Sequence, residues 1–330
     1  MFSSPGDLGD GDVGAALRQF WGLEASSLAY RPVGFGSHHW LAEVAGERWF
    51  VTVDDCQGKR EAPSETADGF YSRLRAALAT ARTLRSMGLD FVVAPIDAAK
   101  GEPVVRISAA YAMAVYPYLE HDPPAPDEYT ESERSEMLEL LVALHRADVS
   151  GVEAGVETFQ LPRRPALEAA MRELHRPWTG GPFAEPARAL LSARLNSIRR
   201  VLPQYDAWAL AAPSQPKVVT HGEPHSANTL VVGSRRVLID WDTVLVAPPE
   251  RDLWMVADAA GAIALAYAAA TGLALANWML DFYRLRWDLA EIAVYIAEFR
   301  GLHQDDPNTR ESWKNLNFFL DLDGRWPQLT

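Results

Sequence analysis

The stretch THGEPHSANTLVV, residues 220–232, contains side chains whose types and spacing could do chemistry. Gly222 and Pro224 interrupt any helix, so the sequence predicts a loop that leads into a strand. The overlapping run TLVVGSRRVLID predicts a hairpin with a Gly–Ser turn. Such a hairpin returns Asp240 to the side of the loop that carries Glu223 and Asn228.

An acid, an amide and a second acid that converge at strand ends provide what phosphoryl transfer needs. The carboxylate of Glu223 can orient or deprotonate an acceptor hydroxyl. The side-chain oxygens of Asn228 and Asp240 can bind Mg²⁺, a hard ion that takes oxygen ligands. Either of these two residues alone is more often structural, as a turn residue or a strand-end cap. Their joint spacing with Glu223 favours the functional interpretation.

The two histidines of the loop leave alternatives open. His221 is most simply a buried, hydrogen-bonded residue, whereas His225 is ambiguous. Together with Glu223 they could bind zinc, although HGEPH is not the helical H-E-x-x-H motif. His225 could instead approach the acceptor or the transferring phosphate.

The elements that must position these residues begin with a sheet-rich first third. Residues 28–55 predict two strands joined by the VAGERW turn and, before that turn, the Gly-rich bend GFGSHH. A helix from about Thr66 to Met87 follows, and then three short strands, FVVAPIDAA, PVVRIS and AYAMAVYPYLE. The Pro-rich, acidic run HDPPAPDEY at residues 121–129 marks a boundary.

Beyond that boundary the sequence is mainly helical. A capping box of Thr130 and Glu133 begins a helix that runs to LLVALHRAD. Two more helices are predicted at PALEAAMRELH and FAEPARALLSARLNSIRRVLPQYDAWAL. Short strands return only at KVVT, NTLVV and RVLIDW, and the remainder is helical. The sequence therefore predicts an α+β fold with a small sheet-rich lobe and a larger helical lobe.

Composition limits the functions that fit. The net charge of −13 argues against a nucleic-acid partner and leans slightly towards a cationic small molecule. The single cysteine, Cys56, fits a reducing cytosol, and the N-terminus lacks the features of a signal peptide. The uncharged run Ala259–Ala276 is predicted to form two Ala-rich helices rather than a membrane span. We expect a cytoplasmic protein, monomer or homodimer, without a membrane partner.

Several motifs resemble one known superfamily. HGEPHSAN followed by LIDWD resembles the H-x-D-x-x-x-x-N loop of aminoglycoside phosphotransferases and choline kinases, which share the protein-kinase-like fold. IDWDTVLVAPPERDLW is especially similar to the spectinomycin-phosphotransferase branch, and ALHRAD also matches. The resemblance implies a bilobal fold with an N-terminal nucleotide-binding lobe (1–119), a hinge at about 116–120 and a C-terminal lobe (120–330). That lobe would hold the catalytic loop 221–228 and the metal-binding hairpin 229–242.

The resemblance also implies roles for individual residues. Glu223 takes the position of the catalytic aspartate, with His225 beside it, while Asn228 and Asp240 would be the metal ligands. His221 and Asp252 would be structural. Arg251 is predicted to pair with Asp252. The residues expected near the nucleotide are Gly34, Phe35, Gly36, Ser37, His38, Thr52, Tyr116 and Tyr118. Asp242 is expected near the metal or the acceptor, and the other residues expected near the acceptor are Arg286, Trp287, Asp288 and Trp313.

Two positions depart from the family pattern. Glu223 replaces the usual aspartate and is one methylene longer. Thr52 occupies the position of the strand lysine that binds the α- and β-phosphates, and Asp68 is the only acid in the following helix. A buried glutamate without its lysine would be costly, so the joint loss of that ion pair is physically sensible. Replacement cations are expected among Lys59, Arg73, Arg75, Arg82 and His38.

The residues and the resemblance together predict an ATP- or GTP-dependent O-phosphotransferase that uses Mg²⁺. Its acceptor would be a small molecule with a free hydroxyl, and antibiotic inactivation is the expected use, on an aminocyclitol, aminoglycoside or nucleoside. Two alternatives stay open. One is a pseudokinase that binds nucleotide or ligand without turnover, and the other is a housekeeping kinase for a small metabolite.

Overall fold

The computed structural model describes residues 1–62, 64–121, 129–321 and Trp326. These residues form two compact units. The first comprises Met1–Arg60, Thr66–Glu157 and Pro216–Ala276, and the second comprises Glu61–Glu65, Thr158–Gln215 and Asn277–Thr330. Most of the predicted boundary at 121–129 lies outside the described residues, and the division of lobes at residue 119 stays a prediction.

The bounds of the elements are as follows. The helices are α1 (Asp10–Ala16), α2 (Ala67–Ser86), α3 (Glu131–His145), α4 (Arg164–Arg172), α5 (Ala184–Ala211), α6 (Glu250–Leu253), α7 (Ala262–Thr271), α8 (Asn277–Arg300) and α9 (Pro307–Leu320). The strands are β1 (Ser27–Arg31), β2 (His38–Val44), β3 (Glu47–Asp55), β4 (Val105–Arg106), β5 (Tyr111–Pro117), β6 (Val218–Thr220), β7 (Thr229–Val232), β8 (Arg235–Leu238) and β9 (Leu245–Ala247).

The first unit contains a five-stranded antiparallel sheet with the strand order β1-β2-β3-β5-β4. Alternation along β3 buries Val51 and Val53 completely, and the facing residues Trp40 and Met113 are also fully buried. The predicted turn between β2 and β3 and the Gly-rich bend between β1 and β2 are both present. The sheet thus carries the predicted nucleotide-binding bend on a well-packed core.

Helix α1 is not predicted by the sequence analysis. Its segment is acidic and contains Gly11 and Gly14, which disfavour a helix. Val13 and Leu17 are nevertheless fully buried against the core of the sheet, and the indole of Trp40 donates to Asp10 at 2.8 Å. Packing against the sheet therefore overrides the weak local propensity.

The helix predicted from about Thr66 to Met87 is confirmed as α2, with Thr66 as its N-cap. The strand predicted at FVVAPIDAA is wrong, because Val92 forms only an isolated bridge with Leu238. Pro95 removes a donor from this segment, and the amides of Val93 and Ile96 donate to two different elements, the β7–β8 hairpin and β5. PVVRIS and AYAMAVYPYLE do form strands, β4 and β5.

The rest of the first unit builds the surroundings of the predicted catalytic loop. Strand β6 pairs with β9, and β7 pairs with β8 around the Gly–Ser turn at Gly233. Arg236 ties this hairpin to α3, because its guanidinium donates to Glu136 at 2.9 Å and to Glu133 at 3.1 Å. The short strands predicted here are confirmed, whereas β9 is an addition.

The uncharged run Ala259–Ala276 forms one helix, α7, rather than the two predicted. Gly272 ends α7 in the left-handed conformation, and the following residues lead as a loop into α8. None of the helices in the described ranges is long and apolar enough to cross a membrane.

The second unit is helical. Helix α8 packs against α4, α5 and α9. Phe282, Leu285 and Leu289 of α8 are fully buried in this core. The predictions for α4 and α5 are confirmed to within a few residues.

The N-cap of α3 provides a test of local stability. Thr130 accepts from the Glu133 amide at 3.3 Å, and the Glu133 carboxylate accepts from the Thr130 amide at 2.9 Å. We expect Thr130→Val to destabilise the protein by about 1 kcal/mol and to lower the melting temperature by roughly 1–2 °C. Scanning calorimetry would measure this, with the exposed loop residue Thr179 changed to valine as the control.

The same cap predicts a pH dependence. The bonds from Thr130, together with Arg236, hold the pKa of Glu133 below its ordinary value. The contribution of Glu133 to stability is therefore present above the unfolded pKa and is lost as the pH falls through the folded pKa. An equal effect of Thr130→Val and Thr179→Val at neutral pH would contradict the cap.

Candidate active site

The buried carboxylate of Asp252 positions the predicted catalytic loop. Its two oxygens accept from the backbone amides of His221 at 2.8 Å and Gly222 at 2.6 Å. His145, the histidine of ALHRAD, lies 3.1 Å from the same carboxylate. Burial opposes ionisation, but the hydrogen bond from His145 and the nearby positive charge of Arg251 hold the pKa of Asp252 below its ordinary value. Asp252 thus has the geometry of the structural acid that the sequence suggested.

His221 is a structural histidine in this arrangement. Its Nε2 donates to the carbonyl of Ile239 at 2.9 Å, and its Nδ1 accepts from the amide of Glu223 at 3.2 Å. Burial lowers its pKa, so the ring is neutral at pH 7, and it packs on Trp241 with 4.6 Å between the ring centroids. Both ring nitrogens are thus engaged, which disfavours the zinc alternative. The described residues also contain no group of three His, Cys, Asp or Glu side chains placed to hold a metal ion.

Gly222 allows a close approach of the loop to Arg251. The residue has φ +104°, and a Cβ at this position would lie 2.4 Å from the guanidinium of Arg251. That guanidinium donates to Thr220 at 2.9 Å and to the carbonyl of Thr243 at 2.7 Å. Its ion pair is with Glu157 at 3.7 Å, so the prediction of an Arg251–Asp252 pair is wrong. Asp252 instead uses its oxygens on the loop amides and on His145.

The loop and the hairpin meet at Asn228. The side-chain amide nitrogen of Asn228 donates to the carbonyl of Glu223 at 3.0 Å and lies 3.3 Å from Nε2 of His225. The amide of Ile239 donates to the carbonyl of Asn228 at 3.0 Å, which places Asp240 one residue beyond the pairing. Because the nitrogen of the Asn228 side chain is engaged, its oxygen is the atom that can bind a cation.

Asp240 is surrounded by the charges of other carboxylates, those of Asp242, Glu223 and Asp54. The neighbouring charge of Asp242, burial, and the charges of Glu223 and Asp54 raise its pKa well above the ordinary value, while Lys59 acts in the opposite direction. Its backbone has φ +65°, a left-handed conformation that is uncommon outside glycine and that clusters at functional sites. A carboxylate so placed is stabilised in its ionised form by an additional cation.

These features fit a magnesium site. Asn228 and Asp240 could supply oxygen ligands at the meeting point of loop and hairpin, and the carboxylates of Asp242, Glu223 and Asp54 make the charge around Asp240 negative. Mg²⁺ is commonly bound by one or two protein carboxylates together with water and substrate phosphates. Two protein ligands are therefore sufficient, which agrees with the absence of a three-residue metal cluster in the described part of the chain.

The Gly-rich bend lies where a phosphate cradle is expected. Gly34 and Gly36 have φ values of +68° and +99°, and Phe35 between them is 43% exposed. The carbonyls of Gly34 and Ser37 accept from the amino group of Met1 at 2.8 and 3.0 Å. The hydroxyl of Ser37 is turned inwards and donates to Asp54 at 2.7 Å. This backbone is compatible with a phosphate cradle and also with a tight turn that binds no phosphate.

The remaining predicted nucleotide residues lie on the sheet. Thr52 faces His39 across β2 and β3, with its hydroxyl 3.3 Å from Nδ1 of His39. Nδ1 of His38 lies 3.1 Å from the hydroxyl of Tyr30. Burial and then the charges of Asp240, Asp54 and Asp242 raise the pKa of Tyr116 well above its ordinary value.

The hinge prediction concerns the end of β5 and the residues after it. The amide of Tyr118 donates to the carbonyl of Arg48 at 3.1 Å. The guanidinium of Arg48 lies 4.3 Å from the centroid of the Tyr118 ring and pairs with Glu120. Tyr118 is therefore fixed beside β3, and its contact with a nucleotide base stays a prediction.

Asp54 is a site residue with no motif of its own in the sequence. It is 3% exposed at the end of β3 and binds Ser37 and Lys59. The sequence feature that could have identified Asp54 is its place directly after the apolar Val53 at the end of a strand. The other acids of this strand, Glu47 and Asp55, are more exposed. A buried carboxylate needs a partner, and that partner is Lys59.

The predicted acceptor residues other than Asp242 lie in the second unit. Nε of Arg286 donates to the carbonyl of Gln160 at 3.4 Å. Asp288 is 1% exposed and accepts from the indole of Trp326 at 3.0 Å. The ring of Trp313 stacks on Phe183 with 5.7 Å between centroids. The role of these residues and of Trp287 in acceptor binding stays a prediction.

Residues 30–295 match the model of the phosphotransferase enzyme family (APH). The chain belongs to this family, and the prediction of a phosphotransferase that acts on hydroxyl groups is confirmed. The protein StrN of Streptomyces griseus is 30% identical over 256 residues, which are 72% of this chain and 74% of that protein.

Solved structures support the same fold. A spectinomycin phosphotransferase in complex with ADP and spectinomycin has a TM-score of 0.70 at 16% identity, with 94% of each chain covered. The choline kinase LicA of Streptococcus pneumoniae has a TM-score of 0.52 at 12% identity, with 93% of this chain and 97% of that chain covered. The predicted protein-kinase-like α+β fold is thereby confirmed.

The contact between Gly222 and Arg251 can be tested by substitution. Gly233 in the hairpin turn also has a positive φ of +62° but open space around its Cβ position. We expect Gly233→Ala to cost roughly 1–2 kcal/mol for the backbone conformation alone. Gly222→Ala should cost at least about 3 kcal/mol because the added methyl group also displaces Arg251. Thermal unfolding would measure both, and equal losses would show that the close approach is not a constraint.

Proposed function

We propose that the protein transfers the γ-phosphoryl group of ATP or GTP to a hydroxyl group of a small molecule. The observation that carries the proposal is the hydrogen-bonded junction at Asn228. This junction brings the loop of Glu223 to the hairpin that carries Asp240. Membership of the phosphotransferase family supports the reaction class.

The residues of the loop have separable tasks in this reaction. The carboxylate of Glu223 accepts a hydrogen bond from the acceptor hydroxyl and aims it at the phosphorus, and it can take the proton. Asn228 and Asp240 would hold Mg²⁺, which would neutralise charge on the transferred phosphate. Burial lowers the pKa of His225 to about 4, so this residue is neutral at pH 7. We assign it to orienting the amide of Asn228, which lies 3.3 Å from its Nε2.

We further propose that the acceptor is an antibiotic of the aminocyclitol, aminoglycoside or nucleoside type and that the enzyme confers resistance in the cytoplasm. The similarity in fold to a structure that contains spectinomycin supports this choice. The net charge of −13 favours the approach of a cationic acceptor. A housekeeping metabolite kinase stays the alternative with the same chemistry.

One observation favours a second candidate, a pseudokinase. Thr52 stands where the family has its phosphate-binding lysine, so nucleotide could bind without turnover. The presence of both Asn228 and Asp240 speaks against this candidate, because a protein that only binds has less need of both metal ligands.

Incubation with ATP or GTP, Mg²⁺ and a panel of antibiotics tests the function. We expect the mass of one acceptor to increase by a phosphoryl group, and Asp240→Asn to abolish this product because a neutral amide cannot replace the anionic ligand. Asp305→Asn, at an exposed carboxylate that pairs with Arg310, serves as the control and should leave turnover unchanged. Nucleotide binding without any phosphorylated product across a broad panel would favour the pseudokinase.

Substitutions at Glu223 separate proton transfer from positioning. We expect Glu223→Gln to reduce kcat by roughly 10²–10⁴-fold with little change in the KM for nucleotide. Glu223→Asp should retain part of the activity and a similar pH profile, because the carboxylate is kept but is shorter. Steady-state kinetics measured from pH 5 to 9 would show this, and a Glu223→Gln enzyme with wild-type kcat would rule out either role for the carboxylate.

A further inference from the structure

The sheet cannot supply a phosphate-binding cation at the usual strand position. Thr52 is neutral, and its hydroxyl faces Nδ1 of His39 at 3.3 Å. Burial, together with nearby positive charges, lowers the pKa of His39 to about 3, so its ring is neutral as well. A triphosphate bound near the Gly-rich bend therefore needs a cation from another element.

Of the candidate residues other than Lys59, two are ion-paired with carboxylates outside the site, one is uncharged, and one, Arg73, acts on Asp242 through its charge. Arg75 pairs with Glu102 and Glu153, and Arg82 pairs with Asp97. The guanidinium of Arg73 lies over the ring of Phe70 and donates to the carbonyl of Lys59 at 3.4 Å. Burial lowers the pKa of His38 below its ordinary value, which leaves that ring neutral at pH 7.

Lys59 is the candidate whose charged atom reaches the site. Its Nζ lies 2.6 Å from Asp54, 3.0 Å from Asp242 and 2.8 Å from the hydroxyl of Ser37. Ser37 belongs to the Gly-rich bend, and Asp242 lies two residues after the metal ligand Asp240. The ammonium group thus sits between the two parts of the site that a metal-bound triphosphate must bridge.

Local contacts in the turn after β3 fix the position of Lys59. The amide of Lys59 donates to the carbonyl of Asp55 at 3.1 Å, and the amide of Gln57 donates to the Asp55 carboxylate at 2.8 Å. A Cβ at Gly58 would lie 2.7 Å from that same carboxylate, so the turn requires a small residue there. The aliphatic part of the Lys59 side chain then passes over Gly36. A Cβ placed on Gly36 would lie 3.7 Å from Cε of Lys59.

We propose that Lys59 binds the phosphates of the donor nucleotide in place of the strand lysine that Thr52 replaces, and that Asp54 is the carboxylate that positions it. This inference rests on the proposed nucleotide-dependent reaction. Asp54 on β3 takes the task of the glutamate that α2 does not contain. Asp242 is a second anchor of Nζ at 3.0 Å, which an arriving phosphate would replace.

Nucleotide affinity separates this role from a structural one. We expect Lys59→Met to weaken binding of the non-hydrolysable analogue AMP-PNP, with Mg²⁺ present, by about 10–100-fold, the loss of one charge-assisted contact. Binding of adenosine, which has no phosphates, should be unchanged. Lys59→Arg should restore much of the affinity. The exposed Lys100→Met is the matched control and should behave as wild type.

A measurement on the wild-type protein covers the case in which Lys59→Met does not fold. The side chains of the four lysines can be labelled with nitrogen-15 and observed by NMR. The Nζ signal of Lys59 should shift when AMP-PNP and Mg²⁺ are added but not when adenosine is added.

No selective shift, or equal AMP-PNP affinity of Lys59→Met and wild type, would overturn the role of Lys59 and leave the proposed function standing. If wild type binds AMP-PNP and Lys59 behaves as expected but no acceptor is ever phosphorylated, the proposed function fails alone.

Discussion

Repulsion among four carboxylates is the constraint on which the site depends. Asp54, Glu223, Asp240 and Asp242 come from three different parts of the first unit, and their mutual repulsion raises the pKa of Asp240. Lys59 offsets part of this repulsion by binding two of them. Like charges that repel one another in a buried site are stabilised by cations between them. The arrangement therefore favours the binding of a metal ion together with a phosphate-bearing ligand.

A second, fully buried network keeps the loop in place without taking part in binding. Asp252 binds two consecutive backbone amides, His221 joins the loop to Ile239, and Arg251 fills the space that Gly222 leaves. Each of these polar groups has a partner, which offsets the cost of burying it. Buried groups that are uncharged or paired thus hold the backbone of the loop, while the carboxylates of the site are separate from this network.

The sequence allowed the loop–hairpin junction to be predicted better than the contacts that support it. The spacing from His221 to Asp240 and the predicted hairpin were sufficient for the loop–hairpin junction, because antiparallel pairing is a local property of adjacent strands. Helix α1 and the Val92 bridge depend on packing between distant segments, which periodicity does not report. The pairing of Arg251 was wrongly predicted for the same reason, since Glu157 lies far away along the chain. The sequence does not distinguish Lys59 from the four other candidate cations, and our proposal for it depends on its distances to Asp54 and Asp242.

Anomalous diffraction from a crystal grown with Mn²⁺ and AMP-PNP tests the central claim most directly, because Mn²⁺ accepts the same oxygen ligands as Mg²⁺ and its position is measured independently of the protein atoms. The account predicts one peak bonded to the side-chain oxygens of Asn228 and Asp240 and to phosphate oxygens, at roughly 2.0–2.3 Å. A nucleotide bound with its manganese away from both side chains would contradict the account.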